Sequence, residues 1–560
     1  MTSRPSFAWS RRRAVVLRRF YLLGVFLGLF CLLLGACAAK LRDYGVGVRS
    51  TLLGSDVFFH FLTTYEPLQL IAVGCFFLLT PLVFQLGAGV FRPSLQGRVA
   101  IRSAALLSVL VFLLVAALRH WVYLDYDVCI DEALPTFQSE SFLQGHLRGI
   151  IPSEWLPFAQ AAALPFVTVD PATKTWGPGF LPLHSLLRTP AAWFGLDGYM
   201  NAVLLALNIY AFYFLLREIW PLHPSRAWIG CLLFAVHPQV IVTCMSSFAM
   251  ETHALAMTLW LMLYLSRRRW LFLLTPWAGI LCMGVHQPHI HLIMAAPFVL
   301  RLLLDRRFAD FFYFCAVYLI GCVLWLSFLS LIRPNVAASG PLFQFGLEPG
   351  LQMIVQAANL GLLLSWSPPL LSLLFLGVII NGWCRRPFIA DCLLACALLF
   401  GFYIAWPFSQ GHGWGYRFTY PAIPLAVIIG VQGLASLRLA VGPGRLVAPL
   451  AWSLAFTLLF QLPVRCWQVE RFVSTHRNVY QTIIATPGEA VLVEDRRIWY
   501  GTDFIRNKPF LDNRPIIISD ATLSPAEFLL LLKKEPSLHI ITLDDLRSTG
   551  HPAGFIREQD

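Results

Sequence analysis

The chain has 560 residues, 58% of them hydrophobic and 13% charged, with a formal net charge of +12. Soluble domains carry about 25% charged residues, so this composition excludes a water-soluble globular protein, whose outside must be wetted. The positive charge sits in short arginine clusters between apolar runs, with no basic stripe interleaved with aromatics, which excludes nucleic acid as the partner.

Taken in chain order, Arg11, Arg12, Arg13, Arg18 and Arg19 precede an apolar run at 20–39. The positive-inside rule places that end in the cytoplasm. Runs at 67–91 and 101–118 follow, with Arg92, Arg98 and Arg102 between them. Further spans are predicted at 199–216, 227–244, 250–266, 270–285, 288–304, 310–331, 368–383, 388–406, 419–437 and 446–463. That makes about 13 membrane helices. Alternation returns each internal arginine cluster to the cytoplasmic side, including Arg267–Arg268–Arg269 and Arg385–Arg386. Asp391, beside that last pair, is expected to form a surface ion pair with it.

The same alternation leaves residues 120–198, 333–367 and everything after 463 outside. An amphipathic piece at 351–364 is expected to lie along the interface. The tail changes character: strands are predicted at 490–494, 515–519 and 538–543, and a helix at 525–534 capped by Ser524. The fold class is therefore mainly α, a polytopic transmembrane helical bundle with a small α/β C-terminal extracytoplasmic domain. Its divisions are 1–118 (three spans), 119–198 (large outer loop), 199–463 (helical core) and 464–560 (outer domain). The 13 cysteines form no CxxC pattern, and only Cys129 and Cys466 are placed where an oxidising compartment reaches them.

The first outer loop carries the chemistry. It opens with Asp125, Asp127, Asp131 and Glu132, continues into an amphipathic stretch at 133–147, and reaches Trp176-Gly177-Pro178-Gly179-Phe180-Leu181-Pro182. Carboxylates at a membrane surface suit deprotonation of an acceptor hydroxyl or amine while a lipid-anchored donor lies alongside. The plainer account is that these acids solvate a loop.

This arrangement resembles the GT-C superfamily of membrane glycosyltransferases, in particular its protein O-mannosyltransferase and aminoarabinose transferase branch. Asp131-Glu132 matches the acidic pair of that branch's first large outer loop, and the run 176–182 approximates its Pro-Gly-rich segment. The run 411–424, with Gly415-Tyr416-Arg417-Phe418 and Pro421 and Pro424, matches a late helix-opening motif. In the family the acidic loop follows the first helix, whereas here it follows the third, as two extra N-terminal spans explain. The resemblance covers roughly residues 100 to 440.

The resemblance implies inverting transfer of a sugar from a polyprenyl-phosphate donor to a lipid, glycan or protein acceptor at the extracytoplasmic face. The short loops point to a bacterial inner membrane, the eukaryotic ER being the alternative. The resemblance also implies Asp131 as general base and Glu132 as its supporting group. Lys174 and Arg417 become the candidates for the donor phosphate, a surface lysine and a headgroup anchor being their plainer accounts. Glu251, near the outer end of a span, is either a second active-site acid or a polar contact between helices; His253 lies two residues on. His286, His289 and His291 bunch at an outer turn, with His412 on another. Polar lining of a substrate cavity, together with Trp176 and Tyr416, is the reading taken; no cofactor is expected, a divalent ion being the competing reading. A transporter or flippase of lipid-linked or small polar substrates, and a non-catalytic scaffold, are the alternatives from other classes.

Overall fold

The computed structural model describes residues 7–43, 56–86, 97–332, 349–382, 386–406, 413–441, 446–496, 501–542 and 544–545. Among these, eight helices are long and apolar enough to cross a membrane, or ten if each of two bent helix pairs is one span. The chain is an integral membrane protein, and among the described residues eight to ten helical spans of that length stand beside the thirteen expected. The runs predicted at 250–266, 270–285 and 288–304 form helices of 15, 15 and 17 residues, shorter than the ~20 residues a bilayer core requires.

Proline accounts for the bends. The residue before a proline is pushed out of the helical region. His237, before Pro238, has ψ 118°, and the two helices it joins diverge by 54°. Pro368, before Pro369, has ψ 123°, and there the chain turns through 115°. The segment expected to lie along the interface is thus the first limb of a broken span or re-entrant loop.

The N-terminal helix Phe7–Asp43 packs closely on Glu66–Leu86. A Cβ at Gly28 would stand 2.8 Å from the Leu78 side chain, and one at Gly74 would stand 3.0 Å from the Gly28 carbonyl oxygen. Such close approach is what small residues provide between helices in lipid. At the cytoplasmic end assigned by the charge rule, Asp391 takes a bidentate pair from Arg301, at 3.0 and 2.7 Å. The expected partners were Arg385, which lies outside the described residues, and Arg386. Arg301 reaches Asp391 because the Pro288–Leu304 helix packs directly against Pro387–Ala405.

The first outer loop contains structure that helical periodicity does not reveal. After the acid-pair helix Ile130–Leu143 come β1 (Gly149–Ile150), β2 (Val167–Asp170) and β3 (Thr175–Pro178), an antiparallel sheet in the order β1-β3-β2. In the tail, β4 (Ala490–Val493), β5 (Ile516–Ser519) and β6 (His539–Ile541) form a parallel sheet in the order β5-β4-β6. The Pro525–Lys534 helix begins with a capping box between Ser524 and Glu527.

Strands buried on both faces read as continuous apolar runs, and β4 and β5 do. One face of that sheet, with Ala490, Leu492, Ile516 and Ile518, packs on Trp155, Phe158 and Trp176 of the outer loop. The other, with Val491, Val493 and Ile517, packs on Val479 and Ile483 of the Leu462–Ile484 helix. Loop and tail share one core.

Candidate active site

The site is built where the end of one span meets a turn between two others. The Gly97–Trp121 helix ends beside the turn at 245–249, whose backbone groups lie beyond helix hydrogen bonding. Side chains meet that need. Arg119 donates to the Met245 carbonyl at 2.9 Å, and Asn201 to those of Ser246 and Phe248 at 2.7 and 2.8 Å. His184 places Nε2 3.0 Å from the Ser247 carbonyl and Nδ1 2.7 Å from the Thr252 hydroxyl. A carbonyl only accepts, so Nε2 carries the proton and Nδ1 accepts from Thr252. Burial, followed by the nearby Arg188 charge, lowers the His184 pKa to about 3 and keeps the ring neutral.

Three carboxylates approach this turn, each in a different state. Asp127 accepts from Arg119 at 3.0 Å, Ser247 Oγ at 2.7 Å and Thr136 Oγ1 at 3.0 Å. Burial pushes its pKa up, but the Arg119 and Arg188 charges and the Ser247 bond outweigh it and hold the group below the usual carboxylate range. Glu132 is 1% exposed; Tyr123 donates to it at 2.8 Å and the Ser247 amide at 3.3 Å. Burial, reinforced by Asp127, lifts its pKa to about 7. Asp131 is the open one. Its side chain is 26% exposed, and Arg417 donates to Oδ2 at 2.7 Å.

Arg417 comes from the late motif. Gly415 has φ +66°, and a Cβ there would stand 2.9 Å from both Gln239 Cδ and Trp366 Cγ, so only glycine fits that turn. Trp414, just before it, donates to Tyr123 Oη at 3.1 Å, which in turn donates to Glu132. Arg417 opens the 3-10 turn Arg417–Ala422, and its guanidinium lies 4.9 Å from the Phe248 ring centre and 5.6 Å from that of Phe418. The two motifs, 286 residues apart, meet in one ion pair.

The other predicted residues have partners of their own. Lys174 is in the exposed turn between β2 and β3 and donates to Ser153 Oγ at 2.9 Å. Trp176 is 1% exposed, and its Nε1 donates to the Pro509 carbonyl at 2.7 Å, so it ties loop to tail. Glu251 is fully buried, accepting from Asn208 at 2.8 Å and Tyr420 at 2.5 Å, a polar contact between helices. His253 is buried with no hydrogen-bond partner for Nε2 among the described residues, and the same holds for Tyr416 Oη.

The imidazoles expected at one outer turn each take a different partner. His286 packs on Phe180 with ring centres 4.1 Å apart, His289 on Phe402 at 4.8 Å, and His291 bonds Tyr318 at 2.9 Å. His412 lies outside the described residues. No group of three or more His, Cys, Asp or Glu among the described residues is arranged to hold a metal ion.

Sequence reasoning did not single out Arg119, Ser247, His184 or Arg188. Their only signal was position: Arg119 ends a span, and Ser247 lies in the short gap between two apolar runs.

A cavity of about 550 Å³ opens inside the helical bundle. Its walls are apolar, including Phe30, Leu364, Leu371, Phe375 and Phe400, with His237, Gln239, Ser367 and Thr419 as polar groups. Thr419 and Ala422 belong to the 3-10 turn that begins at Arg417, so the cavity reaches the element carrying the cation.

Fold and site define a polytopic, mainly helical membrane protein. Among solved structures, ArnT from Cupriavidus metallidurans bound to undecaprenyl phosphate shares the fold, with a TM-score of 0.50 and 14% sequence identity over 79% of this chain and 90% of that one. The apo state of the same protein aligns with a TM-score of 0.48 and 14% identity over 78% and 89% of the two chains. No protein-family model matches the sequence, and no curated protein matches it.

Proposed function

We propose that this protein is a membrane glycosyltransferase that moves a sugar from a polyprenyl-phosphate donor to an acceptor hydroxyl or amine. The observation that carries the reading is the Asp131–Arg417 pair, a half-open carboxylate and a buried guanidinium in contact, the latter opening the turn whose Thr419 and Ala422 line an apolar cavity. The ArnT structure that shares the fold was solved with undecaprenyl phosphate, a ligand with the same two parts, a long apolar chain and a phosphate.

In the proposed reaction the donor chain lies in the cavity and its phosphate takes the Arg417 fork, releasing Asp131. The acceptor oxygen or nitrogen attacks the anomeric carbon from the face opposite the phosphate. Its proton passes to Asp131, and the carbon–oxygen bond to phosphate breaks with both electrons leaving on the phosphate. Configuration inverts. Glu132, engaged by Tyr123 and Ser247, orients the helix start and does not take the proton. The arginine clusters support a bacterial inner-membrane protein with a cytoplasmic N-terminus and the site on the outer face.

The test is glycosyl transfer in proteoliposomes with a panel of polyprenyl-phosphate sugars, wild type against Asp131→Asn. Turnover with one donor that falls at least ~100-fold in the variant is expected for loss of a general base. Absence of turnover with every donor, from folded protein, overturns the reading and favours a transporter or flippase.

A further inference from the structure

The acid-pair helix has no cap of its own. Its N-cap residue is Cys129, which makes no side-chain capping bond, and the helix begins at Ile130, one residue before Asp131. The first amides of a helix need an acceptor from outside it. Here it comes from the tail: Asp503, 1% exposed and 373 residues away, accepts from the Ile130 amide at 3.3 Å.

Arg506 completes the grip. It donates to the carbonyls of Asp127 and Val128, the latter at 2.8 Å, and its Nε donates to the Asp503 carbonyl at 2.5 Å. Its guanidinium lies over Tyr126 at 4.7 Å and Tyr480 at 5.5 Å. The tail turn is itself fixed, because Asn507 donates to the Ala162 and Ile517 carbonyls at 2.8 and 2.7 Å. Residues 127, 128 and 130, which lead into Asp131, are therefore all held through their backbones by one turn of the tail.

We propose that Asp503 and Arg506 are positioning residues for Asp131, so that the C-terminal unit is part of the catalytic frame. This rests on the reading of Asp131 as base. A hydrogen bond to the first helical amide fixes where the helix starts and so where the next side chain points. A shift of about 1 Å at a reacting group costs on the order of 100-fold in rate.

The experiment uses the full chain in proteoliposomes, with whichever polyprenyl-phosphate sugar the wild type turns over, and hydrogen exchange of the segment 127–137. Asp503→Ala and Arg506→Ala are expected to speed exchange at the Ile130 amide and lower kcat by ~10- to 100-fold, with donor KM within about twofold of wild type. Asp503→Asn keeps an acceptor oxygen, so it is expected to restore slow exchange and most of kcat. Wild-type kcat in folded Asp503→Ala and Arg506→Ala overturns the proposal, whether or not exchange changes. If the alanine variants do not fold, Arg506→Lys and Asp503→Asn decide: lowered kcat with unchanged KM in the lysine variant alone supports it, and wild-type kcat in the lysine variant overturns it.

The two readings fail separately. Undiminished turnover in Asp131→Asn defeats the assignment of the base. Loss of turnover there, with wild-type kcat in the Asp503 and Arg506 variants, defeats this inference alone.

Discussion

Glu66 and Arg465, 399 residues apart, face each other through two parallel hydrogen bonds of 2.7 Å, both side chains buried. Around them Ser365 donates to Glu66 at 2.7 Å, Trp366 Nε1 donates at 2.9 Å, and the Arg465 guanidinium lies 3.9 Å over the Trp366 ring. This cluster joins the N-terminal hairpin, the sharp break at Ser365–Pro369 and the last long helix. Breaking a buried pair by removing one partner strands the other charge. Glu66→Ala is expected to destabilise the fold by about 3–5 kcal/mol, read as unfolding in detergent. The double variant Glu66→Met, Arg465→Met is expected to lose much less, and equal losses in the two would argue against a stranded charge.

Glu132 gives a pH prediction outside the membrane. Its folded pKa, about 7, lies above the ordinary carboxylate value of 4.5, so the fold favours the protonated form. The benefit of that proton is complete below about pH 4.5 and lost as pH rises through about 7. Between pH 5 and 8 the wild type is expected to lose on the order of 2–3 kcal/mol from this group. Glu132→Gln is expected to show a flatter profile of unfolding midpoint against pH. Parallel profiles would show that Glu132 does not titrate in that window. Asp127, held below the usual range, contributes its stability above that range and loses it only at more acidic pH.

The two candidate phosphate cations separate by mutation. Arg417→Lys keeps a charge but not the planar fork, and donor KM is expected to rise roughly tenfold. The Lys174 ammonium donates to Ser153 in an exposed turn, so Lys174→Ala is expected to leave kcat and donor KM within about twofold of wild type. A large KM effect at Lys174, with none at Arg417, would reverse the assignment.

The cavity predicts dependence on chain length. Ala426→Phe places a ring in the space lined by Leu371 and Phe400. Donor KM is expected to rise roughly tenfold for a long polyprenyl chain and little for a short one, because only the long chain must fill the volume. Equal effects on both donors would place the chain elsewhere.

The sequence makes the apolar helices legible because lipid demands long uninterrupted runs. It also makes the tail legible: Ser524, Glu527 and the continuous apolar runs at 490 and 516 are local signals. The acid pair and Arg417 were found by resemblance, yet nothing in either motif states that Asp131 and Arg417 touch. Long-range partners are where the sequence is silent. Ser247 serves Asp127 and Glu132 only because three helices bring their ends together, and Trp176 faces the tail because a strand was hidden in a run read as loop. Hydropathy counts residues and does not see the turns that keep Met250–Tyr264, Arg269–Met283 and Pro288–Leu304 short.

The final helical stretch, Val447–Ile484, is 38 residues long. At 1.5 Å per residue it measures roughly 57 Å, while the hydrocarbon layer is about 30 Å thick. The remainder stands clear of the lipid as a mast, with the β4–β6 sheet lashed to its upper end through Val479 and Ile483. Arg465, clasped by Glu66, fixes the foot of the mast against sliding or rotation. The sheet therefore rides at a set altitude above that foot, with no slack in the helix that carries it.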